Sequence, residues 1–384
     1  MTTIAPVSDP AKTLGARIAA ARRAAALSQE QSTKLLGFAD RQTLSALENG
    51  ERRVQPAELD KMSQVFGKSV DWFLDPFVIA GEGSFSWRVS PSLPQDELDV
   101  FEEKAGKWIG LLRFLRMSSG DHSRLLAHNL EVDADMSFKE VCDMGEGIGQ
   151  MLDLGPVPAE RLVERIEERL GIPVLYFDGQ SGGDGDVSGA MCRMRNFRAI
   201  LINRLEPRVR RSFDAAHELF HALTWNALPP ERQESSVPAD ATTKISGSEK
   251  KAQRIERLAD NFAAGLLMPR ESLEKAVEAN RSDNIDHLAD VAHLLQVSYS
   301  SLAFRLLNAG MISRATCDVL KVRGGVRPPD SRPKLFSETF VKLIASGIED
   351  GHVSARRAAG ALGMTLPQLV QLFGDYAINP PFNV

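Results

Sequence analysis

The sequence predicts an α+β protein, mainly helical with one small antiparallel β-sheet, and three observations point to it. Most of the chain carries apolar residues at helical spacing between capping residues and glycine or proline stops. Strand-like runs are confined to one stretch, at Val174 to Phe177, Val187 to Arg193 and Phe197 to Asn203. With 384 residues, 43% of them hydrophobic and 25% charged, the chain has the composition of ordinary soluble domains and room for two or three. No apolar run approaches bilayer thickness and Met1 to Thr13 lacks a charged-then-apolar leader, so a cytoplasmic protein without membrane contact is expected. Cys142, Cys192 and Cys317 stand singly, which excludes a cysteine-rich metal module and suits small buried apolar residues in a reducing compartment. A net charge of −5 provides no global attraction to nucleic acid or anionic lipid, so any DNA contact must be local.

From the N-terminus, helical patterns run over Leu14 to Ala26, Gln29 to Leu36, Arg41 to Asn49, Glu58 to Phe66 and Val70 to Leu74. Ser28 and Asp40 are the expected N-caps, with Gly37 and Gly50 as stops. Asp75-Pro76 closes this five-helix unit, and Gly81-Glu82-Gly83 with Pro91 to Pro94 reads as a linker. Glu97 to Met117 is helical, its stripe of Phe101, Ala105, Trp108, Ile109, Leu112 and Leu115 suited to interdomain packing or a dimer seam. Trp87 and Trp108 are expected in cores, and His122 and His128 have no partner at metal-ligand spacing.

A helix from Ala159 to Leu170 precedes the three strands, of which Phe197 to Asn203 is the candidate sheet edge, able to pair with an extended peptide. Gln180 to Asp186 has no repeat to mark it as a calcium loop and reads as a flexible connection. Beyond Pro269, Ile285 to Leu295 and Tyr299 to Asn308 form a helix pair, on which His287 and His293 stand six apart and read as structural. Arg323 to Pro329 is a basic linker. Helices at Ser337 to Ser346, Ser354 to Leu362 and Pro367 to Phe373 resemble a second helix-turn-helix only superficially, because Gln368 to Gly374 carries no Lys or Arg; packing or oligomerisation suits them better. The expected organisation is a five-helix N-terminal domain over 10–78, a helical linker or interdomain region over 79–150, a domain carrying the strands and the candidate metal site over 151–312, and a C-terminal helical domain over 313–384.

The chemistry concentrates in His217-Glu218-Leu219-Phe220-His221. Two histidines four apart share one helix face, which a common metal ion requires, and Phe213, Ala216, Phe220 and Leu223 line the neighbouring face. That stripe predicts a half-buried helix with its imidazoles at the edge of a core. Glu218 is placed to bond a metal-bound water without being a ligand, the arrangement of a zinc hydrolase in which zinc acidifies the water and the glutamate takes its proton. Thr224 and Ala227 occupy the places where a metzincin has Gly and His, so the third ligand lies elsewhere. Downstream, Ile255 to Pro269 reads as a second helix with Ile255, Ala259, Phe262 and Leu266 as its core stripe. Glu256 and Asp260 share another face, as a third ligand and a carboxylate that fixes a ligating imidazole do in thermolysin-like peptidases.

HELFHAL followed by E-x-x-A-D-x-F-A-A-x-L-L-M-P resembles the ImmA/IrrE family of bacterial metallopeptidases, over roughly Val157 to Ile312. The resemblance implies a zincin-like domain with His217, His221 and Glu256 as zinc ligands and Glu218 as general base; Asp260 behind them rests on the thermolysin analogy. Leu27-Ser28-Gln29, Leu36-Gly37 and Gln42 to Gly50 resemble the helix-turn-helix of Cro/cI-like (XRE) regulators, with Ser32 and Thr33 where that family usually has Leu and Ala. That resemblance makes Arg41 to Asn49 the recognition helix binding double-stranded DNA, with Arg41, Gln42, Thr43 and Ser45 at base edges and Asn49 at its end. Gln29 would lie on the backbone or beside an adenine, and Arg52 and Arg53 would reach phosphates. Nine Lys or Arg against eight Asp or Glu from Leu14 to Phe77 leave one net positive charge, so a homodimer is expected on DNA.

Two functions follow. In the first, a DNA-binding regulator carries a zinc metallopeptidase site that cleaves a regulatory protein such as a repressor, as the resemblance implies for stress and mobile-element responses. In the second, a non-proteolytic transcription factor uses the metallopeptidase-like domain to sense a ligand or to dimerise. Intact Glu218 favours the first, since a site kept only for its fold does not need that carboxylate.

Overall fold

Caps and stops read from the N-terminal sequence close the helices where they were expected in the computed structural model, which describes residues 9–90, 92–120, 129–179, 187–195, 197–233, 247–323 and 331–382. Outside that set lie His122, His128, the connection Gln180 to Asp186, most of the basic linker Arg323 to Pro329, and residues 234–246. The first helices are α1 (Pro10–Ala24), α2 (Gln29–Leu36), α3 (Arg41–Glu48), α4 (Pro56–Phe66) and α5 (Val70–Leu74). Ser28 and Gln31 form a reciprocal capping box, Asp40 accepts from the Thr43 amide, and α2 ends on Gly37 in the left-handed region at φ 70°. Ile18, Leu36, Leu44, Leu47, Met62, Phe66 and Phe73 make one small core. A Cβ at Gly15 would lie 2.4 Å from the Glu48 carbonyl, so only glycine lets α1 approach the end of α3. Ser32 and Thr33 are buried, and Thr33 donates to the Gln29 carbonyl at 2.7 Å, which satisfies a hydroxyl inside a helix pair.

The chain continues with β1 (Ser84–Val89), α6 (Gln95–Ser118), α7 (Phe138–Met151), α8 (Leu162–Leu170), β2 (Val174–Phe177), β3 (Val187–Met194), β4 (Phe197–Asn203), α9 (Arg208–Thr224) and α10 (Gly247–Leu267). After them come α11 (Arg270–Ala276), α12 (Ile285–Leu295), α13 (Tyr299–Asn308), α14 (Arg314–Lys321), α15 (Glu338–Glu349), α16 (Ala355–Leu362) and α17 (Leu366–Asp375). These elements fall into two compact units, one drawn from Met1–Ser84, Gln95–Asp121 and Lys342–Val384, the other from Phe85–Pro94 and His122–Val341. In the first, the apolar stripe of α6 is internal packing: Trp108 Nε1 donates to the Leu362 carbonyl at 3.3 Å, and a Cβ at Gly110 would collide with the Phe77 carbonyl at 2.0 Å.

The second unit is built on a four-stranded sheet of order β1-β3-β4-β2. β3 and β4 form the expected antiparallel pair, but β2 runs parallel to β4 with Val174 opposite Ile200, so the sheet is mixed and not antiparallel throughout. Alternation in a four-residue run shows which face is buried and says nothing about the neighbour it pairs with. β4 is not the edge that the sequence suggested; it lies between β3 and β2, as its five consecutive buried residues from Ala199 to Asn203 require. The strand at the β3 side is β1, from a segment read as linker. Its outer side is partly covered: the Trp87 amide donates to the Arg232 carbonyl at 2.8 Å, and Ser86 Oγ donates to that of Glu231 at 2.8 Å.

α9 lies on β3 and β4 with α10 beside it, and α10 in turn packs along α7. The expected half-buried α9 is instead enclosed on every side: from Arg211 to Thr224 only Phe213 is more than marginally accessible. A single-sequence stripe reports the strongest apolar face, and α10 covers the polar face that the stripe left open. Within 79–150, expected as a helical interdomain region, α7 carries no signal of its own, because Gly145, Gly147 and Gly149 depress its intrinsic helicity. Two of its contacts explain why glycine is there. A Cβ at Gly145 would meet the Phe262 carbonyl at 2.3 Å, and one at Gly265 of α10 would meet the Cys142 carbonyl at 2.0 Å. Both obstacles are backbone, so neither can turn aside. Gly265→Ala is therefore expected to destabilise the unit by about 1–3 kcal/mol through overpacking, read as a lowered denaturation midpoint, whereas Gly147→Ala, with open space around it, should not.

Cys142, Cys192 and Cys317 are free and buried, and His287 accepts from the Glu278 amide at 3.1 Å while His293 bonds the Tyr299 hydroxyl at 2.8 Å. Both histidines are structural. Among the described residues no helix is long and apolar enough to cross a membrane.

Candidate metal centre and nucleic-acid interface

Position on α9 and α10 brings the candidate ligands together. Phe220 and Phe262 pack ring to ring at 5.5 Å, locking the two helices in register, and Leu219, Leu223, Leu258 and Leu266 are wholly buried around them. On the adjoining faces His217 Nε2 stands 3.1 Å from His221 Nε2 and 3.2 Å from Glu256 Oε2, and His221 Nε2 lies 3.6 Å from the same oxygen. These three residues are the group of ligand atoms close enough to share one ion among the described residues.

Protonation decides whether the cluster suits a cation. His217 Nδ1 is 3.0 Å from Asp260 Oδ1, and because a carboxylate can only accept, Nδ1 carries the proton. In the neutral ring Nε2 then offers a bare lone pair. Burial works against ionisation of Glu256, but its electrostatic attraction to His221 and its hydrogen bonding with His217 and His221 outweigh it and hold the carboxyl well below the usual carboxylate range. Asp260 behaves likewise: burial opposes its charge, while the His217 hydrogen bond and Arg88 favour it, and its pKa is lowered. Nitrogens of two imidazoles and an oxygen of one carboxylate thus converge on a common point. A divalent cation would take the place of the protons shared among them, and ligand atoms about 2.0–2.1 Å from a tetrahedral zinc are roughly 3.3 Å apart, close to the separations here.

Glu218 is fully buried beside this cluster, and a Cβ on Gly189 of β3 would come within 3.6 Å of its Oε1. The glycine in that strand leaves space against the carboxylate, a role for which an interior strand glycine is a known signal. Sequence reasoning also missed Asp214 and Arg88. Asp214 is completely buried on α9, one turn before His217, and its place three residues ahead of a candidate ligand was the available sign. Arg88 lies on β1, far away in sequence, and no local pattern connects it to the cluster.

In the helix-turn-helix, Arg41, Gln42 and Asn49 are exposed and Thr43 and Ser45 half-buried, so α3 presents an open polar face. Thr43 is partly engaged as its Oγ1 donates to Asp40 Oδ1 at 3.0 Å. Gln29 Nε2 donates to Glu48 Oε2 at 2.8 Å, and Glu48 also holds Arg22, so α1, α2 and α3 are tied through one carboxylate. Arg52 forms a two-pronged pair with Glu58 at 2.8 and 3.0 Å, whereas Arg53 is exposed.

Residues 18–73 match the family model described as helix-turn-helix, and residues 167–307 match the one described as IrrE N-terminal-like domain; the second match contains His217, Glu218, His221, Glu256 and Asp260. None of the curated proteins matches the chain. Among solved structures, a Mycobacterium tuberculosis transcriptional regulator is similar over 52% of this chain and 51% of that one, at 16% identity and a TM-score of 0.31, so the match spans about half the length of each. The chain therefore joins an XRE-like helix-turn-helix domain to an ImmA/IrrE-like domain.

Proposed function

We propose that this protein is a DNA-binding transcriptional regulator carrying a zinc-dependent metallopeptidase site, whose substrate is a regulatory protein such as a repressor. The observation that carries the reading is the convergence of His217, His221 and Glu256 with Glu218 buried on the same helix. His217, His221 and Glu256 would hold the zinc, which when bound supplies a Lewis acid for a carbonyl oxygen and acidifies water. Asp260 keeps the His217 proton on Nδ1 and so keeps Nε2 available as a ligand atom. Glu218 receives a proton on its carboxylate during attack and returns it to the departing amide nitrogen. Its burial strengthens both steps, since a carboxylate out of water has no competing solvent shell.

The reading is tested by metal analysis of the purified protein. About one zinc per chain is expected, with little or none in His221→Ala; a parent protein free of divalent metal after zinc-replete expression would sink it.

Double-stranded DNA is bound by α3, in a homodimer, because one net positive charge per module gives little attraction to phosphate from a single copy. Gln42→Ala is expected to cost about 1–3 kcal/mol of discrimination among operators. Arg53→Ala should weaken all sequences alike and reduce the salt slope by about one. Arg52→Ala is expected to do so less, since its fork is already held by Glu58. Equal losses on every sequence for Gln42→Ala would show that α3 does not read bases.

A further inference from the structure

We propose that Arg88 is a positioning residue for the metal centre, bracing α9 and α10 at the spacing that the ion needs. The proposal rests on the metal reading above and adds to it a residue outside the segment 167–307 that matches the IrrE-like family.

Arg88 Nη1 lies 3.5 Å from Asp214 Oδ1 and Nη2 lies 3.9 Å from Asp260 Oδ1. Its side chain is only 18% accessible, and the guanidinium centre is 5.8 Å from the Phe213 ring centroid. Asp214 belongs to α9, one turn before His217; Asp260 belongs to α10, one turn after Glu256, and bonds the His217 ring. One rigid fork therefore addresses a carboxylate on each ligand-bearing helix. A change in the angle between the helices must lengthen one of its two contacts.

The strand that supplies the fork is itself pinned. β1 adjoins β3 in the sheet, and on its other side Ser86 and Trp87 bond the backbone of Glu231 and Arg232. Asp214 is wholly buried and shares its charge with Arg210 at 3.2 Å as well as with Arg88. A buried carboxylate demands cationic partners, so Asp214 keeps the guanidinium in place. Asp260 differs, because nearly half of its side chain is accessible, at 47%. Without the second cation it is free to turn towards water, and the His217 ring then loses the partner that fixes its proton and direction. Lysine at position 88 keeps the charge but is a point donor on a flexible stem, unable to span two carboxylates.

The test is a titration of the full-length protein with Co(II) alone, followed by visible absorption, beside circular dichroism and thermal unfolding of each variant. Arg88→Gln is expected to weaken Co(II) binding by about 10–100-fold and to alter the ligand-field bands while helicity is unchanged. Arg88→Lys should recover only part of the loss. In an Asp260→Asn background, Arg88→Gln should add less than about a threefold further loss, because both changes act through the same contact. Parent affinity and spectrum in Arg88→Gln would overturn the brace, as would an undiminished penalty in the Asp260→Asn background. Should Arg88→Gln fail to fold, Arg88→Lys decides, and parent affinity there overturns the proposal. A parent protein that binds no Co(II) removes the metal reading and the brace together, whereas equal binding by parent and Arg88→Gln removes the brace alone.

Discussion

Glu218→Gln is expected to retain zinc and operator binding while lowering cleavage of a co-expressed target by about 10²–10⁴-fold, the range a general base contributes. The substitution keeps the volume of the side chain, so the packing against Gly189 and the sheet is preserved and no cavity opens beside the imidazoles. What disappears is the capacity to take a proton. Cleavage is followed by the appearance of target fragments on gels and by a cell-based reporter, with metal content measured in parallel to show that the site is still loaded. Parent-like behaviour of the variant in both would mean that hydrolysis is not what this domain does, and the reading as a non-proteolytic regulator would replace it.

Zinc is expected to stabilise the second unit strongly, because its ligands come from two helices that unfolding separates. At free zinc about a thousandfold above the dissociation constant, linkage gives roughly 4 kcal/mol. For a unit of this size that corresponds to a rise in Tm of about 8–16 °C. Glu256→Ala should abolish the zinc-dependent shift, since it removes the one ligand on α10 and leaves both remaining donors on a single helix. Scanning calorimetry with and without a chelator measures it. A shift of equal size in Glu256→Ala would show that zinc binds elsewhere.

The two unforeseen residues at the centre have different lessons. Asp214 could have been noticed, since it stands three residues before His217 and so on the neighbouring turn of the same helix. Arg88 could not. Its partners are 126 and 172 positions away, and only the order β1-β3-β4-β2 carries its strand to α9. Likewise the glycines of α7 argue against a helix when taken alone, and become necessary once α10 is laid along them.

The sequence by itself determined the helices of the helix-turn-helix module, because caps such as Ser28 and Asp40 and the left-handed stop at Gly37 are local chemistry. It also determined the metal-ligand candidates, since histidines four apart and a Glu and Asp four apart each define one helical face. Tertiary structure alone decided the mixed sheet, the interior place of β4, the full enclosure of α9 and the partnership of Arg88 with Asp214 and Asp260. The physical reason is range: capping and helical periodicity act over four or five neighbours, whereas strand order and ion pairing are set by which buried surfaces meet after the chain has closed on itself.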